Sequence, residues 1–229
     1  MGETLLVVVG ILIAIQINNW NETRQLKINE TVSITALLSE FDSNKSTIER
    51  CKSLIIEKRG FADKLRKQIG PKKSKIEINQ LNKLFDVIGQ TNRCSISTDV
   101  LKDILNSGNL NIISNDKIRR SISKWSAILN ELEREENEWA QEFSSITIPY
   151  LNRWILWEDV DYEGAGGDPR FYKSHLSLDP RLVLQEVEFA NLLNNHYWRI
   201  RRAETRITSI LQQTEVVIKL MRKELNIKE

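Results

Sequence analysis

Apolar residues recur along most of this chain at steps of three and four, the spacing that gathers them on one face of an α-helix. Ile34, Leu37, Phe41, Ile48, Cys51, Ile55, Ala62, Leu65 and Ile69 follow that spacing or its multiples. They predict a helix tens of residues long, ended by Gly70-Pro71, a standard stop. Lys72, Lys73 and Lys75 then mark a solvated turn. Shorter helices are predicted over Ile78 to Ile88 and Val100 to Leu105, the second capped by Ser97 or Thr98 with Gly108 beyond its end. Ser114 or Asn115 caps the next. In that helix Ile118, Ile122, Trp125, Leu129, Leu132, Glu136, Trp139, Phe143 and Ile146 keep steps of four and three, with Glu136 the one polar interruption. This is the strongest helical signal in the chain, and Pro149 should kink or end it, having no N–H to give to the ladder.

Residues 157–180 hold Gly164, Gly166, Gly167, Pro169 and Pro180 without periodicity, and are expected to form a long loop. A last helix begins near Asp179-Pro180, a cap followed by proline at the first helical position. It continues through Ile200, Ala203, Ile207, Ile210, Thr214, Val217 and Met221. No segment sustains alternation of period two, so the expected fold class is all-α, a bundle of long antiparallel helices.

One segment departs from the amphipathic pattern. Leu5 to Ile17 reads LLVVVGILIAIQI, uncharged and apolar all round, with Gln16 alone as a polar position. A helix without a polar face needs lipid or a large core, and the amphipathic remainder is poorly suited to bury it. Residues 1–20 are therefore expected to be a transmembrane anchor, with Trp20 at the membrane interface, and residues 21–229 a helical extracytoplasmic domain. The run rises only about 20 Å, against a hydrocarbon core near 30 Å, so further apolar residues are expected upstream.

Composition narrows the function classes. Hydrophobic residues make up 41% and charged residues 28%, and Gly and Pro number only 9 and 4, which favours a folded, helix-rich chain. The 33 basic residues nearly cancel the 31 acidic ones, so no global positive field recruits nucleic acid. Cys51 and Cys94 are too few for a disulfide scaffold or a zinc site. Two buried free thiols is the simpler reading; a disulfide requires an oxidising compartment.

The stretch VVVGILIAIQINNWNE, Val7 to Glu22, resembles the opening signature of an uncharacterised family of Bacteroidota membrane proteins. Looser matches lie at SGNLNIISNDKIRR, Ser107 to Arg120, and EFANLLNN, Glu188 to Asn195. The resemblance implies a single-pass anchor followed by a helical domain, and no activity. Relatives with this opening carry a basic segment and more apolar residues before their Gly-Glu, which implies that Met1 is an internal methionine. Taken alone, Arg24 and Lys27 after the run would keep the domain in the cytoplasm by the positive-inside rule; the upstream segment reverses that. The expected location is the bacterial inner membrane, with the domain in the periplasm.

Candidate chemistry is sparse. Asp159, Asp161, Glu163 and Gly164 imitate the first half of a calcium loop, but Arg170 stands where the bidentate glutamate belongs. His175 and His196 lack metal-ligand neighbours at helical spacing, and no serine-nucleophile or phosphate-loop motif occurs. No catalytic, cofactor or metal site is therefore expected. Arg199, Arg201, Arg202 and Arg206 are expected to pair with the acidic band Glu131, Glu133, Glu135, Glu136 and Glu138 rather than with nucleic acid. Trp125 and Trp139 read as core. Trp154 and Trp157, with Asp159, Asp161 and Glu163, form a candidate interaction surface. The functional expectation is a membrane-tethered interaction or scaffold protein with a protein partner or a second copy; the alternative is an extracytoplasmic ligand- or cation-binding sensor, and behind both stands an enzyme with dispersed site residues.

Overall fold

In a computed structural model, residues 2–70, 74–89, 93–106 and 108–227 are described. Pro71, Lys72 and Lys73, expected in a turn, lie outside them, as do the side chains of Leu5 and Leu6. The described residues are all-α: α1 (Gly2–Arg66), α2 (Ile78–Gly89), α3 (Asp99–Asn106), α4 (Asp116–Glu142), α5 (Ile148–Leu151), α6 (Trp157–Gly164) and α7 (Val187–Glu224). Short 3-10 turns occupy Asn109–Ile112 and Pro180–Gln185. Two compact units are formed, to both of which α1, α4 and α7 contribute.

The first unit comprises Met1–Ser46, Ile96–Trp125 and Gln212–Glu229. Its core joins Leu37 and Phe41 of α1, Ile118 and Trp125 of α4, and Val217 and Met221 of α7, all buried. Burying each such side chain contributes about 1.5–3 kcal/mol against the entropy of ordering it. Around this core α1 holds two helix N-termini. Glu40 accepts hydrogen bonds from the peptide N–H groups of Val100 (3.0 Å) and Leu101 (3.1 Å) and from the Ser97 hydroxyl (2.8 Å). One turn on, Asn44 donates to the Ser97 carbonyl (2.8 Å) and accepts from its N–H (2.9 Å). Glu30 likewise accepts from the Ser114 N–H at 2.6 Å, while Asn115 caps α4 through the N–H of Lys117 at 3.0 Å. These carboxylates satisfy donors that a helix start leaves unpaired, at its positive end.

The expected antiparallel bundle holds only for α7. Its Arg222 meets Asp42 and its Glu215 meets Lys45, an antiparallel register with α1. Glu30 lies beside Ser114 and Phe41 beside Trp125, so α1 and α4 run in the same direction. The connection carrying α2 and α3 returns the chain before α4 begins.

The second unit comprises Thr47–Ser95 and Ser126–Leu211. Its principal cluster includes Leu65, Phe85, Leu151, Val160, Val183 and Phe189. Ahead of Pro149, the α4 ladder widens into a π turn over Phe143–Thr147, the local form that absorbs a missing N–H. Ser144 and Ser145 both donate their hydroxyls to the Gln141 carbonyl there, at 3.0 and 2.7 Å. The wide turn also shifts the register of the apolar stripe. Ile146, predicted on the buried face, is 51% exposed.

Two boundaries differ from the sequence reading. The expected loop over 157–180 opens with α6, and Asp179 caps the 3-10 turn, accepting from Arg181 N–H at 3.0 Å, before α7 starts at Val187. Gly164 ends that helix, and the close approach of α2 requires glycine there: a Cβ would stand 2.5 Å from the Asp86 carboxyl.

The transmembrane anchor expected over 1–20 is not supported among the described residues. Its residues open the 65-residue α1, and among the described residues no helix is long and apolar enough to cross a membrane. Mostly polar residues, from Asn18 to Arg24, follow Ile17 directly. The side chains from Val7 to Ile17 are nonetheless exposed, and Trp20 is 65% exposed beneath the Arg24 guanidinium, 5.8 Å from the ring centre.

Candidate functional site

In the second unit the apolar stripes of α1 and α4 fail to close against each other. Cys51, Leu54, Ile55 and Lys58 occupy one face of α1 at steps of three, one and three, and Leu132, Glu135, Glu136 and Trp139 occupy one face of α4 at the same steps. Together with Arg93, Cys94 and the Arg199–Ala203 turn of α7 they enclose a cavity of about 200 Å³. Ile48 before it and Ala62 after it are fully buried, whereas Cys51 and Ile55 are only partly so. The opening lies between these two buried positions of α1.

One wall is the Cys51–Cys94 disulfide, with a Cα separation of 5.8 Å, a spacing that suits the bond. The simpler reading of two free thiols is thereby corrected; their proximity depends on how the chain returns after α2 and has no signature in their spacing. The bridge fastens residue 94 to α1, and the Cys94 peptide N–H in turn hydrogen-bonds the Glu136 carboxyl.

Burial raises the Glu136 carboxyl to about 7; the Cys94 hydrogen bond and the Arg93 charge oppose that rise, and Glu133 adds to it. Burial lowers the Lys58 ammonium to about 8, with Asp86 holding it up. Behind Trp139 lies His196, its ring centre 5.4 Å away. Burial, then the charges of Lys58 and Arg199, lower His196 to about 4, so it is neutral at pH 7, and its Nε2 has no hydrogen-bond partner. Perturbed ionisable groups gathered in a cleft mark a functional site more often than a random surface does.

The expected pairing of the acidic band with α7 occurs in part. Arg206 reaches Glu131 at 2.8 Å and Glu135 at 3.4 Å, Arg199 pairs with Glu142, and Arg134 bonds Glu138 within α4 at 3.3 Å. Arg201 lies 3.8 Å from Glu204, which Arg59 holds at 2.6 Å. Among the described residues, Arg202 makes no ion pair and stands exposed at the cavity.

The surface suggested by Trp154 and Trp157 is more closely integrated with the core than its sequence implied. Both side chains pack on the second unit's principal cluster. Trp157 donates to Asn152 Oδ1 at 2.7 Å, and Trp154 Nε1 is buried without a partner. Asp159 accepts from the Ser174 N–H at 2.9 Å, Glu163 lies 3.9 Å from Lys173, and Asp161 is exposed. Among the described residues no group of His, Cys, Asp or Glu side chains is placed to hold a metal ion, and His175 is exposed beside Tyr172. Trp139, expected as core, is partly buried on the cavity wall. Lys58 and Arg93 were not singled out by sequence. Lys58 sits one turn past Ile55 on the buried face of α1, a charge on an apolar stripe that could have drawn notice.

The fold is thus an all-helical one carrying a disulfide-walled cavity with perturbed charges. A model of a family of unknown function, DUF6090, matches residues 3–134, and the chain belongs to that family. The match includes Cys51, Lys58 and Cys94, while Glu136, Trp139 and Arg202 lie beyond it. No curated protein and no solved structure matches the chain.

Proposed function

We propose that this protein is an extracytoplasmic ligand-binding domain, which captures a small molecule in the cavity beside Cys51–Cys94 and attaches to lipid through residues 5–17. The observation that carries the reading is Glu136 and Lys58 on the helix faces that elsewhere supply core. Charges there cost stability, and a concave, largely apolar site with a few polar groups is the usual form of a ligand pocket. The disulfide supports an oxidising compartment, such as the periplasm. The exposed residues from Val7 to Trp20 support attachment to a membrane surface, since apolar surface of that extent is rarely left in water. The proposal is of binding, without catalysis.

Calorimetric or thermal-shift screening of a small-molecule library against the purified chain tests it, with Ala203→Trp to fill the cavity. Ligands that raise the melting temperature of the parent and not of the filled variant are expected; none with that difference would refute the ligand reading. A second reading, an interaction scaffold, is favoured by the all-round exposure of Val7 to Ile17, which a second copy could cover as well as lipid. Flotation with liposomes, abolished by Ile13→Glu, separates the two.

A further inference from the structure

Resting on the ligand-binding reading, we propose that the cavity takes a small carboxylate with an apolar body, its charge received by Arg93 and Arg202 at the rim and its body seated against Leu132, Trp139 and Ile200.

The charge balance selects the anion. Of the lining carboxylates, Glu135 already answers Arg206 and Glu138 answers Arg134, while Arg199 is taken by Glu142. What remains toward the opening is Arg202, without an ion pair among the described residues, and Arg93, both exposed; Lys58, deeper in, is answered by the Asp86 charge. Glu136 is their one counterweight on the wall, and it is held by a single peptide N–H and by the Arg93 charge. Guanidinium groups suit a carboxylate because their paired N–H donors match its two oxygens. Below the rim, Leu132 and Ile200 are buried and Trp139 presents a ring, an apolar seat. Size follows from volume: a cavity of about 150 Å³ accepts benzene, so 200 Å³ takes one ring with a short acidic arm.

Such a guest brings an apolar body toward Glu136, which favours the neutral acid there. Binding should therefore tighten as pH falls from 7.5 to 6. The charged groups lining the cavity around Glu136 are Lys58 on α1, Arg93 beside the disulfide, Arg134, Glu135 and Glu138 on α4, and Arg199 and Arg202 on α7; Glu133 adds its charge from α4. Lys58 gains protons over the same interval and acts in the same direction.

The test is isothermal titration of the full chain, disulfide intact, with three probes sharing one ring: phenylacetate, 2-phenylethanol and phenethylamine. Phenylacetate should bind saturably and more tightly than the alcohol, the amine should not bind, and Arg202→Gln should weaken phenylacetate about tenfold, the worth of one charge-assisted bond. Glu136→Gln should reduce the tightening between pH 7.5 and 6. Tighter binding of the amine, or equal binding of acid and alcohol unaffected by Arg202→Gln, overturns the carboxylate and leaves the ligand reading standing. No binding of any probe also overturns it, and the library screen with Ala203→Trp then decides the broader reading separately.

Discussion

The indole N–H of Trp125 donates to the hydroxyl of Thr214 at 2.8 Å, between two fully buried residues of α4 and α7. An aromatic core residue with a polar edge needs such a partner, and Thr214, on the predicted apolar stripe of α7, supplies it. Thr214→Val keeps the shape and strands the indole donor. It should lower stability by about 1–3 kcal/mol, read from urea unfolding. Trp125→Ala should cost about 3–5 kcal/mol, and Trp139→Ala less, because Trp139 borders a cavity rather than close-packed core.

Glu40 offers a second test, because its carboxylate serves the N–H groups of both Val100 and Leu101. Glu40→Ala removes the acceptor of two peptide N–H groups in the first turn of α3, leaving only the longer Asp99 N–H bond to the Ser97 hydroxyl at 3.5 Å, and should cost about 1–2 kcal/mol, the upper range for a helix cap. Hydrogen exchange should accelerate at Val100 and Leu101 more than elsewhere in α3. Unchanged protection at those amides would show that the cap is dispensable.

The disulfide should matter more than the Glu40 cap or the Thr214 hydroxyl. Cys51 and Cys94 are 43 residues apart, and closing a loop of that length restricts the unfolded chain by about 4 kcal/mol in the chain-entropy picture. Replacing both by Ala, or reducing the bond, should lower the melting temperature and loosen the peptide N–H at residue 94 that serves Glu136. Mass spectrometry after thiol alkylation, on protein purified without reductant, checks the bond itself.

Regular features of the fold were legible in sequence because they repeat. The stripes on α1, α4 and α7 predicted the buried Phe41, Trp125 and Ile207, and Asn115 was readable as a cap; Asp179 caps the 3-10 turn instead of the last helix. What failed was non-repeating. The π turn before Pro149 displaced Ile146, and α6 formed where glycines and a lack of periodicity suggested a loop. Helix direction depends on the connection through α2 and α3, on which periodicity is silent. The site was half visible: Glu136 stood out as the polar interruption of an apolar stripe, and Arg199 and Arg202 as the basic run of α7. Lys58, Arg93 and the Cys51–Cys94 bond come together only through tertiary contact, so the cavity itself had no local signal.

His196 and Glu136 should give the second unit opposite pH dependences, separable by substitution. His196 is lowered to about 4 from an ordinary 6.5, so between those values the unfolded chain binds more protons. Stability at this residue is therefore full above pH 6.5 and is lost as pH falls toward 4, by up to about 3 kcal/mol. Glu136 is raised to about 7 from 4.5, so in that window the folded state binds more protons, and stability at this residue falls as pH rises through 7. His196→Phe keeps an aromatic surface against Trp139 and removes an unpartnered Nε2. It should leave stability near pH 7 unchanged or raised, and flatten the acid limb between pH 6.5 and 4. Glu136→Gln retains an acceptor for the Cys94 N–H while losing the charge. Its advantage over the parent should be absent at pH 4, grow from about pH 4.5, and level off above pH 7. Urea midpoints of the parent and both variants at unit pH steps from 4 to 8 decide the matter. A parent acid limb unchanged by His196→Phe would mean that the imidazole is solvated, and a Glu136→Gln gain independent of pH would mean that the carboxyl titrates alike in the folded and unfolded chains, so that burial does not raise it.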